Sequence, residues 1–266
     1  MSWRYIGASI TGTSHAKTAT PCQDTHVVRC IESGNGDVFW AILSDGAGSA
    51  KFGELGAQVT CNGYANRIER WLIGRDGDLK ELDLIVIQKW AEMLRKQLDD
   101  LTKRNGHRLR DYACTLLGIV VGKNRAVCFQ IGDGGIVISH PAQGYRIVFW
   151  PENGEYVNTT RFLTDETPIE NLSVEIIPYV PKDIALFTDG IQRLALQFSS
   201  RSVFTPFFTP MFQRLSAESP GHSWQLESDL EAFLDSKQIN ERTDDDKTLV
   251  LATYRESENS IVSTDK

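Results

Sequence analysis

Five aspartates share one local setting. Asp45 closes the apolar run in "WAILSDG", Asp133 follows "FQIG", Asp189 follows "ALFT", and Asp245 stands just before "KTLVL". Asp24, in "PCQD", opens the run "THVV". Taken singly, an acid beside a glycine reads equally well as a tight turn. Taken together, acids at the ends of neighbouring strands converge on one rim, and converging carboxylates repel unless a proton or a cation sits between them. An all-oxygen set selects a hard cation such as magnesium, manganese or calcium. Zinc would require His or Cys, and His15, His26, His107, His140 and His222 are scattered. A helix-loop-helix calcium site is excluded, because "DDDKTLVLATYR" has neither the mid-loop Gly nor the final Glu. Paired carboxylates for glycoside hydrolysis stay open, although Gly beside the acids favours close backbone approach.

The residues after Asp45 are unusually small: Gly46, Ala47, Gly48, Ala50, Gly53 and Gly56. "GAGSAK" does not meet the G-x-x-x-x-G-K-[ST] spacing of a phosphate loop, since Ala50 precedes Lys51 and Phe52 follows it. No G-x-G-x-x-G opens a helix after the first strand, and no kinase H-R-D loop or G-x-S-x-G elbow is present. A covalent nucleophile is not indicated.

These residues need a scaffold. Alternation predicts strands over 3–12 and 25–32, and a more continuous apolar strand over 37–44 after the turn signal "SGNG". A helix is expected from Gly53 to Gly74, carrying Ala57, Cys61, Tyr64, Ile68 and Trp71 on one face. A second covers 81–105, with Leu84, Ile87, Ala91, Leu94, Leu98 and Leu101 as its stripe and Gly106 as its C-terminal stop. Strands are expected again over 112–122, 125–132, 135–140, 145–150, 172–180 and 182–190, and finally over 247–254. Residues 191–237 read as helical or irregular, interrupted at Pro206 and Pro210, with Ser223 capping a short helix of Leu226, Leu230 and Phe233. The pattern predicts an α+β protein, its sheets packed together and covered by helices. We expect one domain over 1–254 and a polar tail over 255–266.

The chain has 266 residues, 41% of them hydrophobic and 24% charged, with a net charge of −7 and no Lys/Arg block. This argues against a nucleic-acid or anionic-membrane surface. No apolar run approaches the roughly 18 residues that span a bilayer, and no signal peptide is visible. Five cysteines without a C-x-x-C pair form neither a disulfide framework nor a zinc ribbon. Four of them read as core thiols, with Cys22 the exception. A cytoplasmic protein is expected.

In order, "QD", "SDGAGS", "IGDGG", "LFTDG" and "TDDDKT" resemble the metal-dependent protein phosphatases of type 2C. "GTSH", "PCQD", "DGAGS", "DYACT", "GEY", "TDGIQRLAL" and "NERTDDDKT" are similar to a bacterial branch of that family, and the likeness covers about 3–254. The resemblance implies a four-layer αββα sandwich of two mostly antiparallel sheets flanked by helices, with two Mn2+ or Mg2+ ions at one end. By motif it assigns Asp24, Asp45, Asp189 and Asp245 as carboxylate ligands and Gly46 as the backbone-carbonyl ligand. It assigns Asp133 to a third, weaker metal. The implied reaction is hydrolysis of phosphoserine or phosphothreonine by a water bridging two metals, with no phosphoenzyme. The implied partners are a phosphoprotein substrate, a Ser/Thr protein kinase and a von Willebrand A-type protein.

Departures from the family pattern matter. No Arg precedes Asp24 in "SHAKTATPCQD", so His15 is the candidate for phosphate contact or proton donation, with Lys17 behind it. Ala47 stands where relatives often place a His. Arg193 replaces the acid that would complete the third metal site, which leaves that ion in doubt, and a structural salt bridge is the expected role of Arg193. Asp244 and Asp246 flank Asp245, and the D-[ND]-x-[ST] pattern favours Asp245 as the ligand. The competing readings are a regulatory module that keeps the fold without turnover, and a phosphatase of small phosphoesters. Retention of four carboxylates counts against the former, because buried unpaired acids are costly without a metal.

Overall fold

The strand β3 (Val38–Asp45) is buried on both faces, which fixes the layering. Val38, Trp40 and Ile42 enter one apolar cluster and Phe39, Ala41 and Leu43 another. A strand so placed needs a helix layer on one side and a second sheet on the other. The computed structural model describes residues 2–34, 36–151 and 160–255 and supplies both.

One sheet holds β2 (Asp24–Ile31), β3, β4 (Leu116–Val121), β5 (Ala126–Ile131) and β8 (Ser173–Ile177) in the order β2-β3-β4-β5-β8, antiparallel throughout. The other holds β1 (Ser2–Ile10), β6 (Gly135–His140), β7 (Gly144–Ile147), β9 (Asp183–Phe187), β12 (Gly221–His222) and β13 (Lys247–Arg255). Its order is β12-β1-β13-β9-β6-β7, with only β1 and β12 parallel. Between the sheets, Trp3 stacks on Phe39 with ring centroids 4.7 Å apart, amid Leu43, Ile119, Ile184, Leu186 and Val250.

The outer face of the first sheet is covered by α2 (Gly53–Leu72) and α3 (Leu84–Arg104). The expected stripes point inward: Ala57, Cys61, Tyr64 and Ile68 from α2, and Ile87, Ala91, Leu94 and Leu98 from α3. Asp83 caps α3 by accepting from the Val86 amide at 3.0 Å. The outer face of the second sheet is covered by α4 (Asp189–Ala195), α5 (Thr205–Ser216) and α6 (Trp224–Leu234), which bury Ile191, Phe208, Phe212, Leu215, Leu226 and Leu230. The four-layer αββα arrangement is therefore present. The short elements α1 (Thr13–Thr18), β10 (Leu196–Gln197), β11 (Ser202–Val203) and α7 (Lys237–Asn240) complete it.

Several expectations are corrected. Pro206 and Pro210 do not interrupt the chain but lie inside α5. Pro206 sits in the first turn, where an amide has no helical partner, and Pro210 forgoes a single bond in a helix anchored by Phe208 and Phe212. The segment 191–237 forms an outer layer of the sandwich, packed on β1 and β13. The strand expected over 112–122 begins only at Leu116, after a 3-10 turn at Leu109–Tyr112. The strands over 145–150 and 182–190 end at Ile147 and Phe187, so Asp189 opens a helix. The first strand ends at Ile10, and α1 follows. Ser223 does cap α6, accepting from the Leu226 amide. Cys61, Cys114 and Cys128 are buried, whereas Cys30 and Cys22 are only partly so. The motif "GEY" and the tail beyond Arg255 lie outside the described residues. Among the described residues no helix is long and apolar enough to cross a membrane.

Candidate metal centre

Register brings the first two acids together: Asp24, at the start of β2, is the cross-strand partner of Asp45, at the end of β3. Asp133 lies in the turn between β5 and β6, and Asp189 is the first residue of α4. Asp45, Asp133 and Asp189 each offer a carboxylate oxygen within 4.8 Å of the others. Asp245 lies on the turn before β13 and is the most exposed of the five.

The buried acids are held by small hydroxyls. Thr188 donates to Asp24 Oδ2 at 2.7 Å and itself accepts from the Thr248 amide at 3.0 Å. Thr115 Oγ1 accepts from the Asp45 amide at 2.9 Å, while the Thr115 amide donates to the Asp45 carbonyl. Thr160 donates to Asp133 Oδ2 at 2.9 Å. Asp24 Oδ1 and Asp189 Oδ1 are buried and have no hydrogen-bond partner among the described residues.

Burial, more than any neighbour, drives the protonation of these groups. It pushes the Asp24 carboxyl up to about 8 against the lowering hydrogen bonds of Thr188 and Thr248. It pushes Asp189 up to about 7, with Asp133 and Asp245 adding to the rise. Asp45 is raised well above the usual carboxylate range by burial and then by Asp24, Asp189, Asp133 and Asp245. Asp133 and Asp245 are raised as well, again chiefly by burial. Carboxylates that repel one another, together with two orphaned buried oxygens, fit a divalent cation, which supplies the missing positive charge and oxygen partners. No imidazole or thiolate joins this donor set, so a hard cation suits it.

Gly46 answers to packing. A Cβ there would lie 2.3 Å from the Gly53 carbonyl carbon, so the small-residue loop folds back on the start of α2. The Gly46 amide donates to the Gln23 carbonyl, and the Ala47 amide to the Ala113 carbonyl at 2.9 Å. Gly190 is similarly required, since a Cβ there would sit 2.0 Å from the Asp246 carbonyl oxygen.

Asp246 is the residue that pattern reading passed over. It is 3% exposed and accepts three hydrogen bonds from two segments: the Gly12 amide at 2.6 Å and His15 Nδ1 at 2.9 Å at α1, and the Gln23 amide at 2.6 Å. It thereby ties α1, the approach to Asp24 and the Asp245 turn into one unit. The available signal was the run Asp244-Asp245-Asp246, whose first two members are exposed and whose last is buried. The hydroxyls of Thr115, Thr160, Thr188 and Thr248 were also missed; only Thr188 and Thr248 stand within two residues of a cluster acid or of Asp246. Lys17 is exposed on α1. Arg193 is exposed and forms no ion pair among the described residues, so the expected salt bridge is not found.

With this geometry in view, known proteins give a consistent answer. A family model described as "Protein phosphatase 2C" matches residues 11–235. "Serine/threonine-protein phosphatase 3" of Escherichia coli (strain K12) is 35% identical over 257 residues, covering 96% of this chain and all of that protein. Among solved structures, the serine/threonine phosphatase Stp1 from Staphylococcus aureus superposes with a TM-score of 0.64 at 13% identity, covering 95% of each chain. The catalytic domain of the phosphatase PstP, solved in complex with 2 manganese ions, gives a TM-score of 0.60 at 15% identity, covering 95% of this chain and 98% of its own. At these identities the two structures attest the fold.

Proposed function

The chain belongs to the protein phosphatase 2C family, and from that membership we propose a cytoplasmic, metal-dependent protein serine/threonine phosphatase with two Mn2+ or Mg2+ ions held by Asp24, Asp45, Asp189, Asp245 and the Gly46 carbonyl. The observation that carries this reading is the pair of buried, partnerless oxygens, Asp24 Oδ1 and Asp189 Oδ1, within a cluster of mutually repelling carboxylates. A fold-only regulatory module would have no reason to keep that cluster at its cost in desolvation.

Bound there, the ions would supply a water acidic enough to attack phosphorus near neutral pH, and positive charge opposite the phosphoryl oxygens. The chain's own contributions are orientation and proton handling. Thr188 and Thr115 fix the carboxylate Asp24 and the backbone of Asp45, so the ligand oxygens are placed before any ion arrives. Asp246 engages His15 Nδ1, which leaves Nε2 to contact phosphate or to pass a proton to the departing seryl or threonyl oxygen. The Ala47 side chain, a methyl group, is not a proton donor. Asp133, steadied by Thr160, is the acid available to a further ion, and Arg193 in place of a second acid makes that ion the weakest part of the assignment. The partners that fit are a phosphoprotein substrate and, by family analogy, the Ser/Thr kinase whose marks it removes and a von Willebrand A-type protein.

The test is hydrolysis of para-nitrophenyl phosphate and of a phosphothreonine peptide by the metal-free protein with Mn2+ or Mg2+ restored. Turnover that depends on the added ion is expected. Protein inert to both substrates with either ion overturns the reading.

A further inference from the structure

The chain carries a net charge of −7 and no unbroken Lys/Arg block, yet its cations are interspersed without an acid over residues 103–110, Lys-Arg-Asn-Gly-His-Arg-Leu-Arg. The structure sets this basic turn against the loop that leaves Asp45. Ala113 accepts from the Ala47 amide, Asp111 accepts from the Phe52 amide at 2.7 Å, and Gly46 bridges to Cys114. Phe52 stacks on His107 with centroids 4.2 Å apart, and His107 Nδ1 pairs with the Tyr112 hydroxyl at 2.9 Å. The turn is therefore fixed by aromatic and backbone contacts, and its cations are left over.

Those cations fall into two groups. Lys103 is paired with Asp99 and Arg108 with Asp111. Lys51, Arg104 and Arg110 are exposed and have no carboxylate partner among the described residues. From Asp45 through Ala47 and Ala113 to Arg110 the path is no more than roughly 20 Å, about six extended residues. A polypeptide with its phosphorylated side chain at the acid cluster would pass within reach.

We propose that Lys51, Arg104 and Arg110 form a docking ledge for acidic side chains of the substrate polypeptide, so that phosphosites flanked by Asp or Glu are preferred. The inference rests on the phosphatase reading and deepens it by naming the substrate class. Its basis is charge complementarity: three exposed cations without a carboxylate partner among the described residues, carried by the loop after Asp45 and by the basic turn set against it, attract an acidic segment and repel a basic one. Such a contact is solvent-exposed, so it acts through several modest attractions that salt weakens.

The experiment compares phosphothreonine peptides of equal length with acidic, neutral or basic flanks, together with para-nitrophenyl phosphate, in Mn2+. For the wild type, kcat/KM for the acidic peptide is expected to exceed that for the neutral one by about tenfold at low salt. The ratio should approach one near 1 M salt, where screening acts over about 3 Å. The double variant Arg104→Ala/Arg110→Ala should bring the acidic-to-neutral ratio towards one, and Arg104→Glu/Arg110→Glu should invert it, each ratio referred to that variant's own neutral-peptide rate. Equal rates for all flanks in the wild type, or an acidic preference that survives both double variants, overturns the ledge. Hydrolysis of para-nitrophenyl phosphate without flank preference sinks the ledge alone, whereas absence of all turnover sinks the phosphatase reading and the ledge with it.

Discussion

Thr188 donates its hydroxyl to Asp24 Oδ2 at 2.7 Å, while Asp24 Oδ1 is buried without a partner among the described residues. One oxygen is thus fixed by the protein, and the other is the one the proposed reading gives to an ion. Replacing Thr188 by Val keeps the volume, orphans the Thr248 amide and releases the carboxylate. We expect a loss of about 1–3 kcal/mol in stability and a weaker Mn2+ requirement curve, shifted by about 10–100-fold in concentration. Thermal melting and a Mn2+ titration of activity check both. An unchanged titration would show that Thr188 has no part in placing Asp24.

Asp45→Ala and Asp189→Ala remove carboxylates proposed as ligands from the middle of the cluster. Each is expected to lower Mn2+-dependent turnover by at least about 100-fold. Because these acids repel one another in the metal-free protein, Asp189→Asn should raise the melting temperature measured in chelator while abolishing the stabilisation given by Mn2+. A chelated variant that melts below the wild type contradicts the repulsion argument.

The metal-free protein should lose stability as pH rises. Burial raises Asp24 to about 8 and Asp189 to about 7 from an ordinary value of 3.8. The folded state then holds protons that the unfolded state has already released, so this stabilisation is complete below about pH 4 and is lost as pH climbs through 7 and 8. Urea unfolding in chelator between pH 5 and 8 measures it. Calorimetric titration with Mn2+ near pH 7 should show proton release, seen as a dependence of the heat on buffer ionisation. A buffer-independent heat would rule out the protonated cluster.

His15 and Asp246 should act as a unit. His15→Ala is expected to lower kcat by about 10–100-fold. Asp246→Asn should cost a comparable factor in the wild type and far less when His15 is already Ala. Full additivity of the two changes, or a His15→Ala enzyme with wild-type kcat and KM, would remove His15 from the reaction.

Gly46→Ala tests the packing of the small-residue loop. Its Cβ would meet the Gly53 backbone at 2.3 Å, and backbone cannot swing aside as a side chain can. A destabilisation of about 1–3 kcal/mol is expected, whereas Gly48→Ala, which meets nothing within 4 Å, should be nearly silent.

The acids at strand ends were legible because an apolar run terminated by Asp reports both the strand and its rim. The inward stripes of α2 and α3 were legible for the same reason, since periodicity encodes burial. What escaped was information carried by approach between distant segments. Nothing near Asp246 announces that Gly12, Gln23 and His15 will all donate to it, and nothing at Pro210 announces that Phe208 and Phe212 will hold a helix around it. The four threonines beside the acids were visible as residues but not as hydrogen-bond donors and acceptors. Such roles depend on register, which pairs Asp24 with Asp45 and sets Leu249 beside Phe187.

The pairing of β1 with β13 runs from Ser2 opposite Arg255 to Ile10 opposite Lys247 and lies inside its sheet, with β12 and β9 on either side. During synthesis, β1 must therefore wait for the much later β13 before the sheet can close. Asp245 and Asp246 arrive with that final strand. Until then Asp24, Asp45, Asp133 and Asp189 have neither their fifth companion nor the clamp on His15. With the ligand set proposed above, the ion site would therefore be completed only when β13 joins its sheet.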